Sequence, residues 1–350
     1  MKGKKRKYYL YIGILALFLL LCILVSESVG SASISISGSF KLLLSKIPGF
    51  NSIIDTESIK ESHKIIIWKV RLPRILLSSL VGGALAVVGC TFQAVFRNSL
   101  ADPHILGISS GAALGATISI LCGVTLNFFG LGVTSIFAFI GAILAVILVY
   151  RVGTLGGKFS AGNLLLTGTA IGTMLSSIIS LLMIYNRDAI EKVYLWTLGS
   201  FSSANWNKVS FLAIISLVCV SVLFIFARDL NVLLTGDDSA QSLGIDIVKL
   251  KKILILVSSI LVASSVSVSG TIGFVGLIIP HCMKLIVGSD HRYLIPFSYL
   301  GGSAFLVICD TFSRTIAEPT EIPVGVITAV FGAPYFIFLL YRNSKKGRVS

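Results

Sequence analysis

Long apolar stretches, nearly free of charge, alternate with short polar or basic segments from Tyr8 to Tyr341. A hydrocarbon core roughly 30 Å thick takes about 20 helical residues to cross, so such stretches predict transmembrane helices. The pattern predicts about ten of them, near residues 8–25, 75–95, 105–122, 128–150, 161–185, 209–227, 251–269, 271–287, 294–309 and 322–341. The run from Ile253 to Val287 is too long for one crossing, and Gly270-Thr271-Ile272-Gly273 interrupts it, so it reads as two helices. Residues 26–74 are serine-rich and aperiodic and read as an external loop with little chemistry of its own.

Composition agrees with a lipid-embedded, all-α chain. With 55% hydrophobic and 13% charged residues, a water-soluble fold would lack polar surface. The whole chain, 1–350, reads as a single transmembrane domain. A net charge of +14 would fit a nucleic-acid partner in a soluble protein, but in a membrane protein the side on which the cations lie decides. With the amino terminus in the cytoplasm, that side collects Lys2, Lys4, Lys5, Arg6, Lys7, Arg97, Arg151, Lys158, Arg228, Lys249, Lys251, Lys252, Lys284, Arg292, Arg342, Lys345, Lys346 and Arg348. The charge is thus an orientation signal that places both termini in the cytoplasm, with the lipid bilayer as partner and no nucleic acid. A cleaved signal peptide is the alternative for the first span, since Gly30-Ser31-Ala32 loosely resembles a cleavage site. Cleavage would leave an odd number of spans between two basic termini, so the span is read as retained. Cys22, Cys90, Cys122, Cys219, Cys282 and Cys309 form no C-x-x-C pair and read as small buried hydrophobes.

Missing chemistry narrows the function. Transporters driven by ion gradients usually place Asp, Glu, Lys or Arg within their spans to carry the coupling. Here Lys284, His281 and Asp310 lie toward span ends, where snorkelling to the interface is the ordinary explanation. Gly153 to Ser160 comes nearest to a phosphate-binding loop, but the spacing before Lys158 is short and Phe159 stands where Ser or Thr is required. His63, His104, His281 and His291 are scattered without acids at helical spacing, so no metal site, cofactor or catalysis is expected, and the energy source lies in another chain. Gly111 with Gly115, Gly168 with Gly172, and Gly82, Gly83, Ala86 and Gly89 predict closely packed helices.

The stretch Arg71-Leu72-Pro73-Arg74, then Gly82 to Gln93, then Arg97-Asn98-Ser99-Leu100-Ala101-Asp102-Pro103-His104-Ile105-Leu106-Gly107 resembles the FecCD family, permeases of ATP-binding-cassette (ABC) importers for iron chelates and vitamin B12. A second block agrees: Gly270 to His281 (GTIGFVGLIIPH), Gly288, Asp290-His291-Arg292, Pro296, Asp310, Arg314, Glu321-Ile322-Pro323-Val324-Gly325 and Gly332-Ala333-Pro334. The resemblance covers residues 71–341, with Lys284 where Arg is more usual and Ser99 where the family often has Pro. It implies a type II ABC importer fold, similar to the vitamin B12 permease, working as a homodimer in the bacterial cytoplasmic membrane. It also implies two cytoplasmic ABC ATPase subunits and one extracytoplasmic substrate-binding protein as partners. The implied function is inward movement of a metal chelate, with siderophore or haem before cobalamin because the family so often handles iron. An ion-coupled secondary transporter with discontinuous helices is the rival from another class, and a membrane-embedded enzyme a more distant one.

The resemblance also implies sites. The cytoplasmic segment at 228–248 resembles the family's ATPase-coupling region, where Gly236, Asp237, Ala240, Leu243 and Gly244 build a short helix with a small apolar face. An ordinary capped loop helix is the other reading. Arg71, Arg74 and Arg314, at external span ends, match arginines that meet acidic residues of the binding protein, the alternative being anchorage to lipid headgroups. The path is expected along Leu164–Tyr185 and Pro323–Tyr341 at the dimer axis, with Ser160, Ala161 and Gly162 resembling a cytoplasmic gate, unless they are simply small loop residues.

Overall fold

The computed structural model describes residues 2–30, 38, 41–42, 45, 60–123, 127–128, 130–155 and 160–347. Most of the expected external loop, and Lys158 with Phe159, lie outside the described residues. The helices are α1 (Lys2–Ser28), α2 (Glu61–Val95), α3 (Ile108–Cys122), α4 (Val133–Gly153), α5 (Ala161–Tyr185), α6 (Ile190–Thr197) and α7 (Trp206–Ile225). They continue as α8 (Ala227–Leu233), α9 (Asp237–Ser242), α10 (Ile247–Ser269), α11 (Val275–Val287), α12 (His291–Thr315) and α13 (Val324–Gly347). Strands β1 (Asn127–Phe128) and β2 (Leu131–Gly132) form a small antiparallel hairpin before α4. Among the described residues, seven helices are long and apolar enough to cross a membrane, and α3, α11 and α13 are shorter apolar helices. Together they correspond one for one to the stretches expected from the hydrophobic pattern.

Helix α2 is the central pillar, buried almost throughout and packed by α7, α10, α11 and α12. Helices α3, α4 and α5 form a second group, joined to the first where α3 and α4 meet α10. Peripheral α1 leans on α12 and turns Leu10, Ile14, Leu17 and Leu21 outward, as a lipid-facing helix does.

Glycines set the closest approaches. A Cβ on Gly82 would overlap the carbonyl oxygen of Gly302 and vice versa, and one on Gly89 would overlap that of Gly276. In lipid, where apolar burial gives no drive for helix association, such backbone proximity lets dispersion act over many atoms. Gly111 and Gly141 repeat the arrangement between α3 and α4. Gly172 does not: its added Cβ would meet Ser110 Oγ at an ordinary 3.4 Å.

The loop expected over 26–74 is corrected at its far end, where α2 begins at Glu61. Residues Ile66–Arg71 form a π-helical turn, with the Leu72 amide donating to the Ile67 carbonyl. Pro73 has no amide to close an α-turn and its ring crowds the preceding carbonyls, which accounts for the widened turn. Charged Lys60, Glu61, Lys64 and Lys69 obscure the helical periodicity there.

The break expected at Gly270 is present, since α10 ends at Ser269 and α11 starts at Val275. Non-helical backbone at membrane depth must find partners inside the protein. A neighbouring irregular segment supplies one, the Ser200 amide donating to the Ser269 carbonyl (2.8 Å), and that segment is itself held by the Val324 and Gly325 amides, which donate to the Gly199 and Leu198 carbonyls (3.1 Å each). Gly199 and Gly270, both at positive φ, lie so close that a Cβ on Gly270 would strike the Trp196 carbonyl.

Gly89→Val drives a branched side chain into the Gly276 carbonyl, and overpacking of this kind costs about 1–3 kcal/mol or more. The purified variant is expected to melt several degrees below wild type in detergent, whereas Gly172→Ala should melt with it. Equal melting of wild type and Gly89→Val would show that α2 and α11 separate without cost.

Candidate functional site

The two sequence blocks meet where α2 crosses α11. Pro280 lacks an amide, which leaves the Gly276 carbonyl, one turn earlier, without its helical donor. Gln93 Nε2 donates to that carbonyl and to the Leu277 carbonyl, at 3.3 Å each. Pro103, in the turn between α2 and α3, fills the space over Gly276 where a side chain would stand. His104 Nε2 lies 2.9 Å from the Ile272 carbonyl, so it donates there and Nδ1 is left to accept from Ser109 Oγ. The histidine thus ties the α2–α3 turn to the break between α10 and α11.

One end of the bundle holds a buried ionic cluster. Asp310, on α12, is 0% exposed and meets Arg74 of α2 through Nε at 3.0 Å and Nη2 at 3.0 Å. Arg314, one turn along α12, brings Nε to 3.4 Å from the same carboxylate. Arg74 also donates through Nη1 to Glu321 at 2.8 Å, and Arg314 donates to the Ser26 carbonyl (3.0 Å) and hydroxyl (2.8 Å) of α1. Arg71 Nη1 donates to the Glu27 carbonyl at 2.6 Å. The three arginines expected to meet a docking protein, Arg71, Arg74 and Arg314, are 4, 6 and 9% exposed and turned into their own chain. The snorkelling expected of Asp310 is corrected, because a buried carboxylate is tolerated where two guanidinium groups face it. Lys284 is exposed, as snorkelling requires.

At the opposite end, α8 and α9 form a bent pair joined by Gly236 at φ 118. Asp237 starts α9 and is held by Lys251 at 2.8 Å and more loosely by Arg97 at 3.7 Å. Gly244 closes the turn at φ 82, donating its amide to the Gln241 carbonyl at 2.9 Å. Ala240, expected on the outward apolar face, is 0% exposed and belongs to the core, while Leu243 is 70% exposed. Beside them, Asn231 Nδ2 donates to Asp290 at 2.8 Å and its Oδ1 accepts the His291 amide at 2.8 Å. Hydrogen bonds from Arg292 above all, and from Asn231, hold the Asp290 carboxyl well below the usual range, at about 2.

Helix α5 opens with Ser160 as its N-cap, the hydroxyl accepting the Asn163 amide at 3.4 Å. Gly162 is exposed and Ala161 packs partly against the core. Along its outer face Thr169, Thr173, Ser177 and Ser180 are exposed at helical spacing. Each hydroxyl donates to its own helix, to the carbonyls of Leu166, Thr169, Thr173 and Ser176 at 2.8–3.1 Å. Among the cysteines, Cys122 departs from expectation by being exposed at the end of α3. No group of three or more metal-ligating side chains occurs among the described residues.

Asp310→Asn removes the carboxylate that Arg74 and Arg314 share, and breaking a buried pair from one side costs about 3–5 kcal/mol. The variant is expected to melt far below wild type in detergent, and Arg74→Gln combined with Asp310→Asn should lose less than the two single variants added together. Strict additivity would show that the two side chains do not interact.

The sequence matches the FecCD transport family over residues 17–342. The cobalamin import system permease of Halobacterium salinarum is 43% identical over 282 residues, covering 81% of this chain and 75% of that protein. The hemin transport system permease of Yersinia pestis is 35% identical over 339 residues, covering 96% of this chain and 97% of that protein. A solved inward-facing transporter, assigned to the metal-chelate ABC type, superposes with a TM-score of 0.81 at 30% identity, covering 95% of this chain and 99% of its own. With a family match running from the middle of α1 into α13, this chain belongs to the FecCD transport family and is a permease of the ABC-importer type.

Proposed function

We propose that the chain forms the path of an ATP-driven importer that moves an iron chelate, a siderophore or haem, inward across the bacterial cytoplasmic membrane. The observation that carries this reading is the hydroxyl stripe of α5, exposed in the single chain. Hydroxyl oxygens exposed at helical spacing keep free acceptor lone pairs, so the face is placed against a second copy or water in preference to hydrocarbon. Its hydroxyls are already bonded to their own helix, which leaves a neutral lining with little grip on cargo. In the homodimer α5 and α13 line the path, and Ser160, Ala161 and Gly162 stand at its cytoplasmic mouth. ATP hydrolysis belongs to separate ABC subunits, seated at the end that carries α8 and α9. Both termini lie on that cytoplasmic side, in keeping with the basic segments there.

Leu243 is the apolar contact offered to the ATPase, with Gly236, Asp237, Ala240 and Gly244 shaping the segment that presents it. A binding protein docks at the other end, over a rim whose form Arg71, Arg74 and Arg314 hold from beneath. Cobalamin is the second reading of the cargo, favoured by the Halobacterium relative named for it.

Proteoliposomes holding permease, ATPase and binding protein should accumulate the iron chelate when ATP is enclosed with the ATPase, and permease alone should not concentrate it under a proton or sodium gradient. Accumulation by the permease alone would replace this reading with a secondary transporter. Uptake of cyanocobalamin in place of iron would select the second cargo.

Leu243→Arg puts a charge on an exposed apolar contact, so the permease should insert normally yet bind its ATPase at least about tenfold more weakly, roughly 1.4 kcal/mol. Unchanged co-purification and uptake would exclude this segment as the contact.

A further inference from the structure

A cavity of about 640 Å³ lies between the C-terminal ends of α6 and α10 and the first turns of α4 and α7. It shares Glu321 with the ionic cluster, so it lies at that end of the bundle. Its wall carries Ser200, Ser202 and Ser203 on one side and, on the other, Ser267 and Ser269, whose hydroxyls donate to the Ser264 and Ser265 carbonyls of their own helix at 2.8 Å each. Among them stands Lys208, 8% exposed, with its ammonium donating to Ser203 Oγ at 2.7 Å. No carboxylate among the described residues forms an ion pair with it. An ammonium has three donors and a strong need for compensation when withdrawn from water.

The surroundings favour negative charge. Lys192 adds a second cation to the lining, and Glu321, the carboxylate in the lining, is already neutralised by Arg74 at 2.8 Å. The positive ends of α4 and α7 face the negative ends of α6 and α10 across this space, so the side-chain cations Lys208 and Lys192 set its charge preference. Of the opposing α10 carbonyls, that of Ser269 is occupied by the Ser200 amide at 2.8 Å. The volume suits a small chelate or one arm of a larger one.

We propose that this cavity binds an anionic, carboxylate-bearing part of the cargo, with Lys208 as its counter-ion and the hydroxyls of Ser202 and Ser203 as further donors. This rests on the importer reading and deepens it, because it assigns the cargo to anionic carboxylate chelates ahead of neutral ones such as cobalamin.

Trp196 lines the cavity, so its fluorescence reports occupancy. Ferric citrate titrated into the detergent-purified full-length permease, without ATP or partner subunits, should quench it saturably, and Trp196→Phe should remove the saturable component. Lys208→Gln should weaken binding at least about tenfold, Lys208→Arg should retain most of it, and raising salt should weaken it in the wild type. Lys192→Gln and Ser203→Ala, at more exposed or smaller side chains, should each give a smaller loss and provide the test should Lys208→Gln not fold. Absence of saturable quenching, or affinities unchanged by loss of these side chains, would overturn the proposal. Since the titration uses no ATP, a negative result leaves the importer reading standing, and ATP-driven uptake can fail without touching the binding result.

Discussion

In hydrocarbon no water is available to a peptide group, so each amide and carbonyl must be satisfied by the protein itself. This chain violates the simplest solution, the unbroken helix, between Ser269 and Val275 and again at Pro280. What surrounds those violations follows from repairing them. The segment at 197–200 closes on the broken helix end through the Ser200 amide, the segment at 323–325 bonds to that segment in turn, and Gln93 reaches the Gly276 carbonyl that Pro280 leaves free. Such captures demand short distances, which explains why Gly199, Gly270 and Gly325 meet at the break and why Gly89 faces Gly276. Close approach, capture and helix interruption are thus one arrangement, and it draws α2, α6, α11 and α13 into a common core.

The same accounting governs the charged side chains. Asp310 is withdrawn from solvent, and its cost is offset by Arg74 and Arg314 together. Because Arg74 also holds Glu321, and Arg314 also holds Ser26, the cluster joins α1, α2, α12 and the approach to α13. Glu27 lies wholly buried beside it, near the charges of Arg71 and Arg314, with neither carboxyl oxygen hydrogen-bonded among the described residues. Peripheral α1 is therefore fastened by polar bonds at its C-terminal end, and at its N-terminal end by Tyr8, which stacks on Tyr293 at 3.9 Å and donates to the Val287 carbonyl at 3.3 Å.

The spans, the break at Gly270 and the close packing of Gly82 and Gly89 were legible in the sequence because each is a local pattern: apolar run length, an interrupted run, small residues one or two turns apart. The family blocks were legible as well, though not the reason they belong together, which is that Pro103 and His104 pack on Gly276 and Ile272. What escaped is tertiary. Arg74 and Asp310 lie 236 positions apart, and no periodicity links them. The available signal was Asp310 and Arg314 at i, i+4 within a span, since an intramembrane acid calls for a named partner. Ala240 escaped for a similar reason: a small side chain in a polar helix is equally compatible with an outward face and with the inner contact it makes. The start of α2 was hidden because its first turns carry the charges of a loop.

The proposed transport role gives two polar surfaces of this chain opposite tasks. A cargo leaving its binding protein gains from a charged, multidentate grip, which Lys208 with Ser202 and Ser203 can provide. Farther along, the same grip would trap the cargo, because passage requires that binding be weak enough to leave. The α5 hydroxyls meet that need by donating to their own carbonyls, which keeps the face wettable while removing the donors that would hold a chelate. Selectivity on this view belongs to the entrance and the binding protein. A path so lined then accepts cargoes that differ in shape, consistent with relatives of one fold that carry names as different as hemin and cobalamin.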